Sequence, residues 1–187
     1  MTTKKVCQFK VTLRGIRPPI WRRFQVYSDI TFYELHRILQ EVMGWYDGHL
    51  HSFDVGGIFV TDAETLAEVW EDGVDEERVR LKKYLTREGQ KIRYVYDFGD
   101  NWEHDVVLEK ILSAEPNVHY PLCLKGKRAC PPEDCGGIWG YADLLEALAD
   151  PAHPEHEMYL EWLGEDLDPE AFDLAEVNEI LQNEFLS

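Results

Sequence analysis

The chain has 187 residues, of which 44% are hydrophobic and 12% are aromatic. This composition can fill a sizeable core and excludes a chain that is disordered throughout. The apolar runs are far shorter than the roughly 20 residues that a membrane-spanning helix needs, and the N-terminus lacks the apolar core of an export signal. We therefore expect one cytoplasmic domain over residues 1–187, with no membrane partner.

Residues 5–14 and 20–26 predict two strands that form a hairpin. Thr31 and Glu34 have the spacing of a capping box, and they predict the start of a helix that ends at Gly44. Further along the chain, the patterns predict strands at 49–55, 91–98 and 102–112, helical segments at 63–70, 81–85, 141–149, 154–163 and 173–185, and loops at 57–80 and 113–140. The last three helices are expected to bury Leu144, Leu145, Leu148, Met158, Tyr159, Trp162, Val177, Ile180 and Leu181. This order of elements predicts an α+β domain with a largely antiparallel sheet.

Charge is distributed unevenly along the chain. The formal net charge is −17, and residues 129–187 contain 16 Asp and Glu but no Lys or Arg. Such an acidic part can keep the protein in solution, or it can attract a basic partner or imitate the charge of nucleic acid. Because affinity for phosphates comes from Lys and Arg, we expect no direct binding to duplex DNA. A basic edge of Arg17, Arg22 and Arg23 could contact nucleic acid, and its alternative is a solvated strand edge.

Two dense segments could carry chemistry. In residues 94–106, strand alternation places Trp102 and His104 on one face beside the turn acids Asp97 and Asp100. Carboxylates near an imidazole can fix its tautomer, raise its pKa or join it on a metal ion, although a histidine that only fixes the hairpin is the alternative. His49 and His51 would point the same way in a strand and could chelate a metal.

The second dense segment, residues 130–141, contains Glu133 and Asp134 within a long loop rich in Pro and Gly. The backbone of such a loop must find hydrogen-bond partners, so we expect it to lie against the hairpin that strands 91–98 and 102–112 form. The resulting pocket would contain His51, Asp97, Asp100, Trp102, His104, Glu133 and Asp134.

Cys123, Cys130 and Cys135 offer three thiols within a short segment. A zinc ion held by these thiols, with His104 or His119 as the fourth ligand, is one hypothesis, although the chain has no Cys-x-x-Cys pair. A loop of buried thiols is the alternative, and we expect no cofactor apart from this zinc. The chain also lacks a phosphate-binding loop, a nucleophile elbow and a His-Glu-x-x-His motif.

Together these segments resemble a known family. The motifs that carry the resemblance are Ile16-Arg-Pro-Pro-Ile-Trp-Arg-Arg23, Met43-Gly-Trp45, His49-x-His51-x-Phe53, Tyr96-Asp-Phe-Gly-Asp-x-Trp102-x-His104 and Ala129-Cys-Pro-Pro-Glu-Asp-Cys-Gly-Gly137. Over residues 5–182 the chain closely resembles the plasmid pRiA-type ORF-three-like family. The resemblance implies a compact α+β domain, found on plasmids, on chromosomes and as a passenger of insertion elements, without an established activity. Some relatives carry a transposon-resolvase label, but this chain has no serine-nucleophile recombinase pattern.

Three functions are consistent with these residues. The first is a binding or adaptor domain for an unknown protein or peptide partner, with exposed Tyr96, Trp102 and Trp139 as stacking residues. The second is a metal-assisted hydrolase that uses Asp97, Asp100, His104, Glu133 and Asp134. The third is an accessory protein of a mobile-element nucleoprotein complex, which would contact nucleic acid through the arginine edge.

Overall fold

One sheet of eight strands organises the part of the chain that the computed structural model describes, namely residues 4–69, 72–164 and 167–185. Its strands are β1 (Lys5–Leu13), β2 (Trp21–Tyr27), β3 (His51–Asp54), β4 (Phe59–Thr61), β5 (Val74–Asp75), β6 (Lys91–Tyr96), β7 (Trp102–Ser113) and β8 (Leu122–Lys127). They lie in the order β5-β4-β3-β6-β7-β1-β2-β8, and the β4–β5 pair is parallel whereas the other neighbours are antiparallel.

Six helices accompany the sheet in the described residues: α1 (Phe32–Met43), α2 (Ala63–Val69), α3 (Leu81–Tyr84), α4 (Gly137–Ala149), α5 (His156–Leu163) and α6 (Leu174–Phe185). The predicted α+β class is therefore confirmed. None of the described helices is long and apolar enough to cross a bilayer.

The capping box predicted for α1 is present. Thr31 Oγ1 accepts a hydrogen bond from Glu34 N at 3.1 Å, and Glu34 Oε2 accepts one from Thr31 N at 2.7 Å. Gly44 ends the helix in the left-handed conformation, at φ 98°. The helix thus presents an apolar face to the sheet, and its last residues lead into the loop 44–50.

The two predicted loops contain more structure than expected. Loop 57–80 holds β4 and β5, and loop 113–140 holds β8 and the first turn of α4. On β8, Gly126 is needed because a Cβ there would lie 2.7 Å from Arg22 Cδ and 2.5 Å from Phe172 Cζ. The prediction for α2 reached Trp70, which lies outside the described residues.

Helix α5 differs from the prediction in its burial. Met158 is 51% exposed and Trp162 is 46% exposed, so the expectation that both would be buried is wrong. Tyr159, Leu145, Leu148, Val177 and Ile180 are half-buried, whereas Leu144 and Leu181 are fully buried. The period of the pattern was correct, but α5 packs mainly on α4 at the surface rather than on the sheet.

Candidate metal centre

Three connecting segments meet at one end of the sheet: the loop 44–50 after α1, the turn 97–101 between β6 and β7, and the loop 128–136 before α4. They bring His49 close to three carboxylates. His49 Nε2 lies 3.3 Å from Asp134 Oδ1, 3.8 Å from Asp97 Oδ2 and 3.9 Å from Glu133 Oε2. The ligand atoms of His49, Asp97 and Asp134 all lie within 4.8 Å of one another. We call these four residues the His49 centre.

Asp97 is held by its own turn. Its Oδ1 accepts hydrogen bonds from Gly99 N at 2.8 Å and Asp100 N at 3.3 Å, and its backbone is left-handed at φ 56°. These bonds leave Oδ2 as the oxygen that faces His49. The turn thus fixes the direction of a nearly buried carboxylate.

Glu133 is held in the same way by groups from two other segments. Its Oε1 accepts hydrogen bonds from the Tyr96 hydroxyl and from Tyr46 N, both at 2.8 Å, so that Oε2 faces His49. The Tyr96 oxygen also accepts a bond from Gly48 N at 2.9 Å. Burial, together with the neighbouring Glu133 carboxylate, raises the pKa of Tyr96, so the phenol stays protonated and can donate.

Asp100 joins the turn to the Cys-rich loop. Its Oδ2 accepts a hydrogen bond from Gly136 N at 3.1 Å, and a Cβ on Gly137 would lie only 2.5 Å from Asp100 O. The contact expected between the hairpin and the loop is therefore present. Of the predicted pocket residues, the structure brings Asp97, Asp100, Glu133 and Asp134 together.

The other three predicted pocket residues are buried in the core. Trp102 and His104 are fully buried, and their Nε1 and Nε2 atoms have no hydrogen-bond partner in the described part of the chain. Burial lowers the pKa of His104 to about 4, and its ring packs against Trp45 at 5.2 Å between centroids. His51 is also buried, with its Nε2 2.7 Å from Glu76 Oε2.

The sequence pattern predicts His49 only as a partner of His51 on one strand. The strand begins at His51, however, so His49 belongs to the preceding loop and points to a different environment. The available signal was the Asp47-Gly48 turn, which interrupts the alternation just before His49.

A second histidine group was not predicted. The rings of His36 and His51 stack at 3.4 Å, and the ligand atoms of His36, Asp47 and His51 lie within 4.8 Å of one another. His36 Nδ1 lies 2.8 Å from the Tyr94 oxygen, and its Nε2 lies 2.7 Å from Asp47 Oδ1. Burial lowers the pKa of His36, so the hydrogen bonds fit a neutral imidazole that donates from Nε2 to Asp47. The sequence does not distinguish His36 as a site residue, because it lies among the apolar residues of α1.

The cysteines do not form the predicted thiol cluster. All four cysteines are free, and Cys123, Cys130 and Cys135 do not appear among the groups of closely spaced ligand atoms that the described residues form. The Cys123 thiol instead lies 3.6 Å from Arg23 O. Burial raises the pKa of Cys123 to about 11 and that of Cys135 to about 12. This geometry favours the alternative of structural thiols in a loop.

The arginines do not share one exposed edge. Arg22 is only 2% exposed and donates to backbone carbonyls. Arg23, the next residue on β2, points to the opposite face and makes a bidentate pair with Glu109, at 2.7 and 2.8 Å. Arg17 is exposed in the preceding turn. Strand alternation therefore separates residues that are adjacent in the sequence.

Comparison with known proteins agrees with the motifs that meet at this centre. A family model described as plasmid pRiA4b ORF-3-like protein matches residues 5–176. The chain belongs to this family. The pRiA4b ORF-3-like chain is 40% identical over 184 residues to the uncharacterised protein y4hQ of Sinorhizobium fredii, a match that covers 95% of this chain and 91% of y4hQ.

A solved structure also resembles this pRiA4b ORF-3-like protein. It is the crystal structure of a protein of unknown function, MM3350, from Methanosarcina mazei Go1. The two have a TM-score of 0.84 and 43% sequence identity, over 94% of this chain and 98% of the other. Neither relative brings an established activity.

Proposed function

We propose that this pRiA4b ORF-3-like protein binds a divalent transition-metal ion at the His49 centre and uses it in a hydrolytic reaction. The observation that supports the proposal is one imidazole nitrogen within 3.9 Å of three carboxylates. No Lys or Arg of the described residues makes an ion pair with any of the three.

Repulsion between the carboxylates favours a cation. Two negative charges at 4.8 Å, the upper limit for Asp97 and Asp134, repel by about 3 kcal/mol at an effective dielectric constant near 20. Exposure of Asp134 reduces this energy through solvent screening. A divalent ion between the oxygens would replace this repulsion by attraction.

The anchoring of the carboxylates also supports the proposal. Asp97 and Glu133 each use one oxygen to accept hydrogen bonds from the protein and leave the other facing His49. Hydrogen bonds that orient ligating carboxylates in this way are typical of metal sites and contribute to their affinity. The carboxylate oxygens that would ligate the ion therefore need little rearrangement when it binds.

The donor set indicates which ion fits. One imidazole with several carboxylates suits Zn²⁺, Mn²⁺ or Fe²⁺, whereas calcium sites use oxygen ligands alone. The Asp134 side chain is 71% exposed and the His49 side chain 29% exposed, so an ion here would be reachable by water and substrate. A bound ion of this kind acts as a Lewis acid and lowers the pKa of its water, and a neighbouring carboxylate such as Glu133 can accept the proton.

Metal analysis tests the binding. We expect protein purified without chelator to carry about one equivalent of Zn²⁺, Mn²⁺ or Fe²⁺, and metal-free protein to bind the same ion by calorimetry. His49→Ala should remove the binding, whereas His119→Ala, an exposed histidine outside the centre, should leave it unchanged. Equal metal content in both variants, or none in the wild type with no binding to the metal-free protein, would overturn the proposal.

Hydrolysis is tested separately with chromogenic esters, phosphomonoesters and phosphodiesters. We expect metal-dependent turnover of one class that is lost in His49→Ala and retained in His119→Ala. Binding of the metal without turnover of any class would reject the hydrolase and leave a metal-binding protein.

An adaptor role is the second candidate, and exposed aromatic residues support it. Tyr46 is 89% exposed, Trp139 78% and Trp162 46%, whereas Trp102 and Tyr96, which were expected to be exposed, are buried. Tyr46 and Trp162 line a groove of about 330 Å³ together with Glu133. The acidic neighbourhood fits a peptide that carries Lys or Arg beside an apolar side chain.

Quenching of tryptophan fluorescence by such peptides, and its loss in Trp162→Ala but not in Trp139→Ala, would support the adaptor role. We propose a cytoplasmic location for either function, and the plasmid in the family's name supports an association with plasmids.

A further inference from the structure

A buried arginine lines a second cavity, which the loop 44–50 separates from the His49 centre. The cavity measures about 480 Å³ and lies between α1, the loop that follows it, and α6. None of His49, Asp97, Glu133 and Asp134 lines it. Its volume is within the range of small-molecule sites, roughly 300–1,000 Å³.

Arg22 is built firmly into the cavity wall. Its Nε donates to Val42 O at 2.7 Å, and its Nη1 donates to Trp21 O and Lys127 O, both at 3.0 Å. The ring of Phe172 covers the guanidinium at 4.3 Å. The absence of a side chain at Gly126 makes room for both groups.

The guanidinium nevertheless lacks an anionic partner. Arg22 is 2% exposed, and no carboxylate of the described residues lies within ion-pair distance of it. None of these three backbone bonds uses its Nη2. A buried cation without a counter-ion is costly, and the N–H groups of a guanidinium form charge-assisted hydrogen bonds with a carboxylate.

Three carboxylates also line the cavity. Glu41, Asp47 and Glu176 line it, and Arg37, the other basic lining residue, is already paired with Glu184 at 3.0 Å. A simple anion would meet Arg22 but would be repelled by these carboxylates. A simple cation would meet the carboxylates but would leave Arg22 without a counter-ion.

We propose that this cavity binds a small zwitterion, whose carboxylate pairs with Arg22 and whose ammonium group faces Glu41 and Glu176. The apolar lining residues Val177 and Ile180 would contact the carbon chain between the charges. Amino acids are the chemical class that carries both groups at this size. This inference is independent of the metal centre, since the two sites share no ligand-binding residue.

Four matched probes test the proposal by NMR titration of the full chain. 2-Aminobutyrate and 4-aminobutyrate carry both charges at short and long spacing, butyrate carries only the carboxylate, and butylammonium carries only the ammonium. We expect at least one zwitterion to bind with a Kd of about 1 mM, and about tenfold more tightly than either singly charged probe. Shifts should concentrate at residues lining the cavity. Absence of saturable shifts, or equal affinity for butyrate, would overturn the proposal.

Variants test the contacts with the carboxylate and with the ammonium group separately. Arg22→Lys should weaken binding of the better zwitterion about tenfold, because a single ammonium group cannot keep the backbone bonds of Arg22 and also reach the carboxylate. Arg23→Lys, on the opposite face of the same strand, should not weaken it. Glu41→Gln and Glu176→Gln keep Arg22 and its packing intact, so they remain informative if Arg22→Lys fails to fold. Both variants should bind the zwitterion more weakly and butyrate more tightly than wild type does. Unchanged affinities for both probes would contradict the proposal.

Discussion

Replacing Asp97 with Asn removes one negative charge from the His49 centre and keeps the shape of the side chain. The Asn oxygen can accept the same bonds from Gly99 and Asp100, and Asn tolerates the φ of 56°. In the metal-free protein the change relieves the repulsion with Asp134, which is about 3 kcal/mol at 4.8 Å without screening. Because Asp134 is 71% exposed, we expect a stabilisation of about 1 kcal/mol, which is about 2–4 °C in Tm.

The metal-loaded proteins should show the opposite order. At a metal concentration about 100 times Kd, wild type gains about 2.7 kcal/mol of stability, or roughly 5–10 °C for a domain of this size. Asp97→Asn loses a ligand and most of that gain. Thermal unfolding followed by circular dichroism should therefore place the variant above wild type in EDTA and a few degrees below it with excess Zn²⁺ or Mn²⁺.

Asp173→Asn is a matched control for this experiment. Asp173 Oδ1 accepts bonds from Ala175 N at 2.8 Å and Glu176 N at 3.1 Å. It thus bonds the N–H groups two and three residues ahead, as Asp97 does, but it lies at the start of α6. This control should not change the order with metal. The electrostatic argument for the centre is wrong if the Tm of Asp97→Asn is on the same side of the wild-type Tm in EDTA and in metal. It is also wrong if the Tm order of Asp173→Asn and wild type reverses with metal.

Three other outcomes follow from burial and pairing. Because burial lowers the pKa of His104 to about 4, the neutral ring stabilises the fold above the ordinary unfolded pKa of about 6.5, and this contribution is lost as pH falls towards 4. Urea unfolding should thus show that the free energy of unfolding of wild type falls by about 2 kcal/mol more than that of His104→Leu between pH 7 and pH 5. Burial raises the pKa of Cys123 to about 11 and of Cys135 to about 12, so neither should react with a thiol reagent at pH 8 until the protein unfolds, and a fast native reaction would contradict this. With Arg22 buried and Arg23 paired, anisotropy at about 150 mM salt should show no binding to duplex DNA, and micromolar binding that weakens with salt would instead support the nucleoprotein role.

The sequence predicted those parts of the fold that have a long periodic signal. Strands β1 and β2 and helix α1 follow from alternation and from the capping box at Thr31. Strands β4 and β5 have only three and two residues, which is too short for a period to be visible. Strand β8 is an edge strand that contains two lysines and a glycine, and such residues are also typical of loops.

The acids of the centre were predictable, but the histidine was not. Asp97 and Glu133 belong to unusual motifs, and the polar backbone of the long loop required partners. The choice of His51 and His104 rested on strand alternation, which holds for His104 but places it in the core rather than at the surface. For His49 the local pattern could not show that the loop after α1 turns towards the carboxylates, because that path depends on contacts far away in the sequence.

The order of the strands predicts how an ion bound at the His49 centre would affect local opening of the protein. Strand β8 lies at one edge of the sheet and is separated from β6 by β7, β1 and β2. At about 4.8 Å per strand, β6 and β8 are roughly 19 Å apart, so the loop 128–136 crosses the end of the sheet to reach Asp97. An ion held by His49, Asp97 and Asp134 would attach the loop 128–136 to the turn after β6 and to the loop after α1. Amide exchange at the start of β3 and at the start of α4 should then slow together when the ion binds, because neither segment could open without releasing the other.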